Sequence, residues 1–169
     1  MVYEIVKFGN PVLEKPATPV TVFDDELKKL VEDMFESMYA AHGVGLAAPQ
    51  IGISRRVAVI DVTFKEDPEA KIVLVNPEII HTEGRLTSNE GCLSLPEFRE
   101  KVTRPRSVTA RAQDVKGKTI EVTGDDLLAR ALVHETDHLD GKLYISYISA
   151  LKRDMMKRKI RKLVKQGEW

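Results

Sequence analysis

His134-Glu135-Thr136-Asp137-His138 sets two imidazoles four residues apart with a carboxylate between them. On a helix, positions i and i+4 share a face, so both rings can ligate one metal ion. Glu135 lies toward the same side, where it can take a proton from a metal-bound water. Three protein ligands and one open position are the usual equipment of a catalytic metal site. The chain downstream offers little for the third ligand. Position 144 is Tyr where a longer H-E-x-x-H-x-x-G-x-x-H pattern would need His, and after Asp140 only Asp154, inside a basic run, and Glu168 remain acidic. The third ligand is therefore expected upstream.

The single cysteine, Cys92, is the candidate. It stands in Glu90-Gly91-Cys92-Leu93-Ser94-Leu95-Pro96, where Gly91 permits close backbone approach and Pro96 closes the segment. A thiolate beside two imidazoles makes a soft site suited to zinc or ferrous iron. A third run, Gly43-Val44-Gly45-Leu46-Ala47-Ala48-Pro49-Gln50, combines small residues that let backbone pass close to other groups with an uncharged amide donor, Gln50. It lacks the longer glycine fingerprint and the Lys-Ser or Lys-Thr of a nucleotide site.

Taken together the three runs resemble the peptide deformylase family, whose motifs G-x-G-x-A-A-x-Q, E-G-C-x-S and H-E-x-D-H occur here complete and in order. One departure is Val133, where many members have Gln. The resemblance implies removal of the formyl group from the N-terminal formyl-methionine of new polypeptides, releasing formate. It implies Cys92, His134 and His138 as metal ligands and Glu135 as the proton shuttle. The Gln50 side-chain amide and the Leu93 backbone N–H would stabilise charge on the formyl oxygen. The extended substrate would pair with Val44–Gly45 and Gly91 as an added strand. Its methionine side chain would enter a pocket near Val44, Leu128, Leu132 and His134, with a contribution from Leu127 or Ala131, and Arg99 would lie near the peptide exit. The resemblance favours ferrous iron, with zinc, nickel or cobalt able to use the same ligands.

These residues need elements to hold them. Leu127, Leu128, Ala131, Leu132 and Leu139 recur at helical spacing around the His pair, with Asp125 or Asp126 to cap the start and Gly141 to end the helix. A second helix is expected from Asp24 or Asp25 to about His42, with Gly43 as its C-terminal cap. Arg56–Val62 and Lys71–Val75 read as buried strands around a polar loop, and Ile79 and Ile80 as the start of another. Val102–Val115 and Lys118–Val122 read as a hairpin around Lys116-Gly117. Strands in runs followed by helices predict an α+β fold. The resemblance implies antiparallel sheets around the metal-bearing helix.

The 169 residues, 43% hydrophobic and 31% charged, suit one domain. No signal pattern opens the chain, and no apolar stretch reaches the roughly 20 residues a membrane helix needs. A lone cysteine fits a reducing cytoplasm. The net charge of zero hides an asymmetry: residues 149–169 hold eight Lys or Arg against two acidic residues, a balance of +6, so the rest carries −6. The expected organisation is a catalytic domain over 1–148 and a basic helical extension over 149–169. Met156, Ile160, Leu163 and Val164 form the apolar face of that extension, and ribosomal RNA is the expected partner of its cations. Two rival readings are a zinc metallopeptidase, against which the E-G-C-x-S run weighs, and a non-catalytic ribosome-binding metal protein, which would need a fourth protein ligand.

Overall fold

A computed structural model describes all 169 residues. The first long helix, α1 (Asp25–Ala40), starts where Asp24 accepts a hydrogen bond from the Leu27 N–H at 3.1 Å. It ends at Ala40, two residues short of the expected His42, and its left-handed position moves up by one. His42, not Gly43, takes the left-handed conformation, at φ 59°. The His42 N–H then reaches the Tyr39 carbonyl and the Gly43 N–H the Met38 carbonyl, the paired bonds of a Schellman end. Gly43 serves a different purpose. A Cβ there would lie 2.7 Å from Leu93 Cδ1, so its absence lets the Leu93 side chain settle on this turn.

Seven strands follow: β1 (Gly45–Ala47), β2 (Val57–Ile60), β3 (Ile72–Glu83), β4 (Leu86–Cys92), β5 (Leu95–Arg104), β6 (Ser107–Gln113) and β7 (Thr119–Asp125). Five form an antiparallel sheet in the order β1-β2-β3-β6-β7, and β4-β5 make a separate hairpin. The Ile79–Ile80 stretch does not begin a new strand but continues β3 through two irregularities in its pairing with β6. The expected strand over Val102–Val115 is divided. Val102–Arg104 close β5, and the chain turns at Pro105, which has no N–H for a ladder, before β6 begins.

The five-stranded sheet is covered on both sides near β2. Val57, Val59 and Val75 pack with α1, while Ala58, Ile60 and Leu74 pack with the second helix, α2 (Asp126–Leu139). Alternate residues of one strand therefore serve two cores. Ala47, Ala58, Ala110, Ala112 and Ala129 keep α2 close to the sheet. Gly124 has the same effect, since a Cβ there would lie 2.6 Å from Leu128 Cδ2. Gly141, at φ 78°, ends α2 with its N–H on the His138 carbonyl, and the Lys142 N–H bonds the Asp137 carbonyl.

A third core joins β5 to the chain's end. Leu95, Val102, Tyr144 and Ile145 pack with Met156 and Ile160 of α3 (Ala150–Lys165). Ser149 caps α3 through the Lys152 N–H. Val164, expected on the buried face, is 57% exposed, because it lies about 80° round the helix from Met156. No helix is long and apolar enough to cross a membrane.

Candidate active site

α2 brings His134 and His138 to one side, and the β4 end brings Cys92 to meet them. His134 Nε2 and His138 Nε2 are 3.1 Å apart, and Cys92 Sγ is 3.3 Å from His138 Nε2. All three ligand atoms lie within 4.8 Å of one another. Tetrahedral bonds of ordinary zinc–nitrogen and zinc–sulfur length separate neighbouring ligand atoms by roughly 3.3–3.6 Å. The donor set therefore fits a small, borderline-soft cation. No other cluster of three or more His, Cys, Asp or Glu residues offers a metal site.

The outer side of His134 is fixed by a buried charge network. Its Nδ1–H donates to Glu90 Oε2 at 2.7 Å, leaving Nε2 free to bind metal. Glu90 also accepts from Arg104 Nε (3.0 Å) and Nη2 (2.6 Å) and from Arg130 Nη1 (2.8 Å). Each carboxylate oxygen thus receives two donors. Burial pushes Glu90 toward the neutral form, but the bonds from His134 and Arg104 outweigh it and hold the group well below the usual carboxylate range. Arg104 continues to Asp137 at 2.9 Å, and Tyr147 donates to the same Asp137 oxygen. Arg130 also ties the Leu86 carbonyl to α2. Two guanidiniums and two carboxylates balance, and together they lock the cysteine-bearing hairpin to the histidine-bearing helix.

Glu135 is buried, and its Oε1 has no protein partner. Burial raises its pKa to about 7, with the neighbouring His134 opposing the rise. Gly45 is what admits it: a Cβ there would overlap the carboxylate, 2.9 Å from Glu135 Cδ. Gln50 is held in one orientation because its Oε1 accepts the Ala47 N–H at 3.0 Å. Its Nε2 therefore points at Ser94 Oγ (3.2 Å) and Cys92 Sγ (3.5 Å). The Leu93 N–H donates to no backbone carbonyl.

These groups open into a cleft of 540 Å³. Val44, Gly45, Gln50, Gly91, Cys92, Leu93, Arg99, His134 and Glu135 line it, whereas Leu128 and Leu132 do not. Those two leucines pack against the five-stranded sheet. The five apolar positions of α2 span two faces, and the cleft takes the one carrying Leu127, Arg130, Ala131, His134 and Glu135. Leu127, 51% exposed, belongs to the cleft and not to the core. Arg104, Arg130 and Phe98 stand outside the three sequence motifs. The one available signal was an arginine at 130 amid an otherwise apolar helical stripe.

A water driven onto an amide carbon by a buried carboxylate, beside a thiolate–imidazole metal site, is the chemistry this geometry permits. It defines a metal-dependent hydrolase on an α+β scaffold. Comparison with known proteins narrows the class. The family model for polypeptide deformylase matches residues 2–154. A peptide deformylase of Acidobacterium capsulatum is 62% identical over all of this chain and 99% of its own length. One from Thermodesulfovibrio yellowstonii is 46% identical over 95% of this chain and 97% of its own. The crystal structure of a peptide deformylase from Legionella pneumophila superposes with a TM-score of 0.91 at 45% identity, covering 99% of this chain and 98% of that one. The chain belongs to the polypeptide deformylase family. Its reaction is removal of the N-formyl group from new polypeptides, and neither the metallopeptidase nor the non-catalytic reading is favoured. The family is metal-dependent, and Cys92, His134 and His138 are the residues here that can hold the ion.

Proposed function

We propose that Cys92, His134 and His138 hold ferrous iron, that Glu135 moves the proton, and that Gln50 and Leu93 receive the developing oxyanion. When bound, the metal supplies an acidified water and polarises the formyl oxygen. Glu135 takes a proton from the attacking water and later gives it to the departing peptide nitrogen, a double duty suited to a carboxyl whose pKa lies near 7. Gln50 Nε2–H and the Leu93 N–H donate to the formyl oxygen as its charge grows. The substrate runs extended between Val44–Gly45 and Gly91, and Arg99 stands beside its exit. Its methionine side chain lies against Val44, Leu127, Ala131 and the methylene stem of Arg130, which takes the part expected of Leu128 and Leu132. The observation that carries this reading is the buried Glu135 carboxylate with an unpartnered oxygen, set beside three converging ligand atoms.

The thiolate favours a soft divalent metal, and zinc, nickel or cobalt can use the same ligands. A reducing cytoplasm keeps that thiolate intact. The test is formate release from a formyl-methionyl peptide by protein purified without oxygen, with metal content measured in parallel. Formate release with iron at one equivalent is expected. Release with zinc alone would overturn the iron assignment, and release undiminished in Glu135→Gln would overturn the proton shuttle.

Residues 1–148 form the catalytic part in this reading and 149–169 an extension that meets the ribosome. Support comes from Lys152, Arg158, Lys159, Arg161, Lys162 and Lys165, all exposed while Met156 and Ile160 face the body. Contacts between such cations and phosphates weaken as salt rises. Replacing Arg158, Lys159, Lys162 and Lys165 by Gln leaves the buried face intact. It should reduce co-sedimentation with ribosomes and flatten its salt dependence. Equal pelleting at low salt would refute this partner.

A further inference from the structure

The β4–β5 ladder is interrupted beside the ligand cysteine. Gly91 pairs with Arg99, but the next residue, Cys92, pairs with Leu95, so Pro96, Glu97 and Phe98 bulge out of register. Glu97 takes φ 69°, a left-handed conformation, within this bulge. All three residues line the substrate cleft. A segment that leaves the ladder loses the pairing that would hold it, and the wall of the cleft needs another support.

Trp169 stands behind that wall. Its ring meets Phe98 edge-on, with centroids 6.0 Å apart and planes at 70°. Its indole N–H donates to the Phe8 carbonyl at 2.8 Å. Phe8 is itself fixed, since its N–H bonds the Ser94 carbonyl at 2.8 Å, two residues beyond Cys92. The indole therefore spans from a segment laced to the metal loop to the one aromatic side chain of the bulge. α3 delivers it there by burying Met156 and Ile160 against Leu95 and Val102 of β5.

We infer that Trp169 is a positioning residue for the substrate cleft: it sets the Phe98 wall, and through it the binding of formylated peptides beyond their first residue. The inference rests on the reading of this cleft as the peptide site. Aromatic edge-to-face pairs prefer centroid separations of about 4.5–7 Å, so the 6.0 Å contact is an attractive one and not mere proximity. Without the indole, Phe98 keeps its place in sequence but loses its rear contact, and the bulge around Glu97 can relax. His134 stays bonded to Glu90, and Glu90 to Arg104 and Arg130, on the other side of the site, so the metal centre is not expected to change.

The test compares the unaltered chain with Trp169→Ala, Trp169→Phe, Phe98→Ala and the double variant, each loaded with one equivalent of metal. The substrates are formyl-methionine amide and a formyl-methionyl tripeptide. Trp169→Ala should raise KM for the tripeptide by about 2- to 10-fold, the span of aromatic pair couplings. Its kcat should stay within about twofold, and KM for the single-residue amide should not move. Trp169→Phe should recover much of the loss. In the Phe98→Ala background, Trp169→Ala should add nothing further. Unchanged tripeptide KM in Trp169→Ala, or additive effects in the double variant, would overturn the inference. An equal kcat loss on both substrates, together with a lowered melting temperature, would also overturn it, by showing a merely structural role. If the unaltered chain binds the tripeptide no better than the amide, the reading of the cleft itself fails, and this inference with it.

Discussion

Replacing Glu90 by Gln should cost more stability than any other single conservative change near the metal. The carboxylate is 4% exposed and accepts from two arginines and from His134. The amide that replaces it has no charge and a single acceptor oxygen, so it can serve about half of those four donors. Arg104 then keeps only Asp137 as a counter-charge, and Arg130 is left without one. Removing one partner from a buried ion pair typically costs about 3–5 kcal/mol, because the remaining charge stays desolvated. For a domain of this length each kcal/mol moves the melting temperature by about 2–4 °C, so a fall of roughly 6–20 °C follows. Metal retention should suffer too. His134 loses the partner that fixes its ring, and such outer partners are worth about 10- to 100-fold in metal affinity. The assay pairs thermal unfolding of metal-loaded and metal-free protein with the rate of metal loss to a chelator. A variant that melts within about 2 °C of the unaltered chain and releases metal no faster would refute the reasoning.

Three further outcomes follow from named contacts. Glu135→Gln should keep its metal and lose about 10²–10⁴-fold in kcat, since the carboxylate acts on protons and not as a ligand; loss of metal in this variant would instead make Glu135 part of the coordination. Gly45→Ala should lose most activity with an intact fold, because the new methyl overlaps the Glu135 carboxylate and must displace it; an unchanged kcat would show that the carboxylate has room to move. Asp61→Asn addresses pH. Asp61 is fully buried, and burial alone would raise its pKa, but bonds from Tyr39, Thr63 and the Lys65 N–H bring it from 3.8 to about 2. A carboxylate depressed on folding contributes stability above its unfolded pKa and loses it as pH falls through the folded value. The variant should therefore melt lower at pH 7 and close part of that gap between pH 4 and pH 2, whereas a gap independent of pH would refute the assignment.

The parts of the site that could be read from the sequence are the local ones. His134, Glu135 and His138 sit within five residues, and a helix fixes their mutual placement whatever the rest of the chain does. α1 and α2 were legible because their apolar periodicity and their caps, Asp24 and Gly141, agree. The failures come from distance and from faces. Leu127, Leu128, Ala131, Leu132 and Leu139 repeat at helical spacing, but an apolar stripe that wide borders both a core and a cleft. Only the sheet tells which half goes where, and Gly124 beneath Leu128 decides it. The strand expected over Val102–Val115 exceeds the observed β6 because alternation continues across Pro105, while the turn is set by the missing N–H. The tail's charge was visible, but the docking of Met156, Ile160 and Trp169 depends on a β5 surface more than fifty residues earlier.

The charge network shows the same limit at its sharpest. Glu90 stands in a recognisable run, yet nothing in that run names its partners, which lie 14 residues away at Arg104, 40 at Arg130 and 44 at His134. A ligand set must present particular atoms to one ion, so few residue types can serve. The supports must only deliver charge and donors to one buried carboxylate, and several helical or strand positions can do that. Chemistry therefore leaves a stronger mark on the sequence at Cys92, His134 and His138 than at the arginines that hold them. The folded arrangement reverses that order of visibility: the same Glu90 that bonds His134 also joins β4, β5 and α2, so the mechanical centre of this protein lies one hydrogen bond behind its metal ligands.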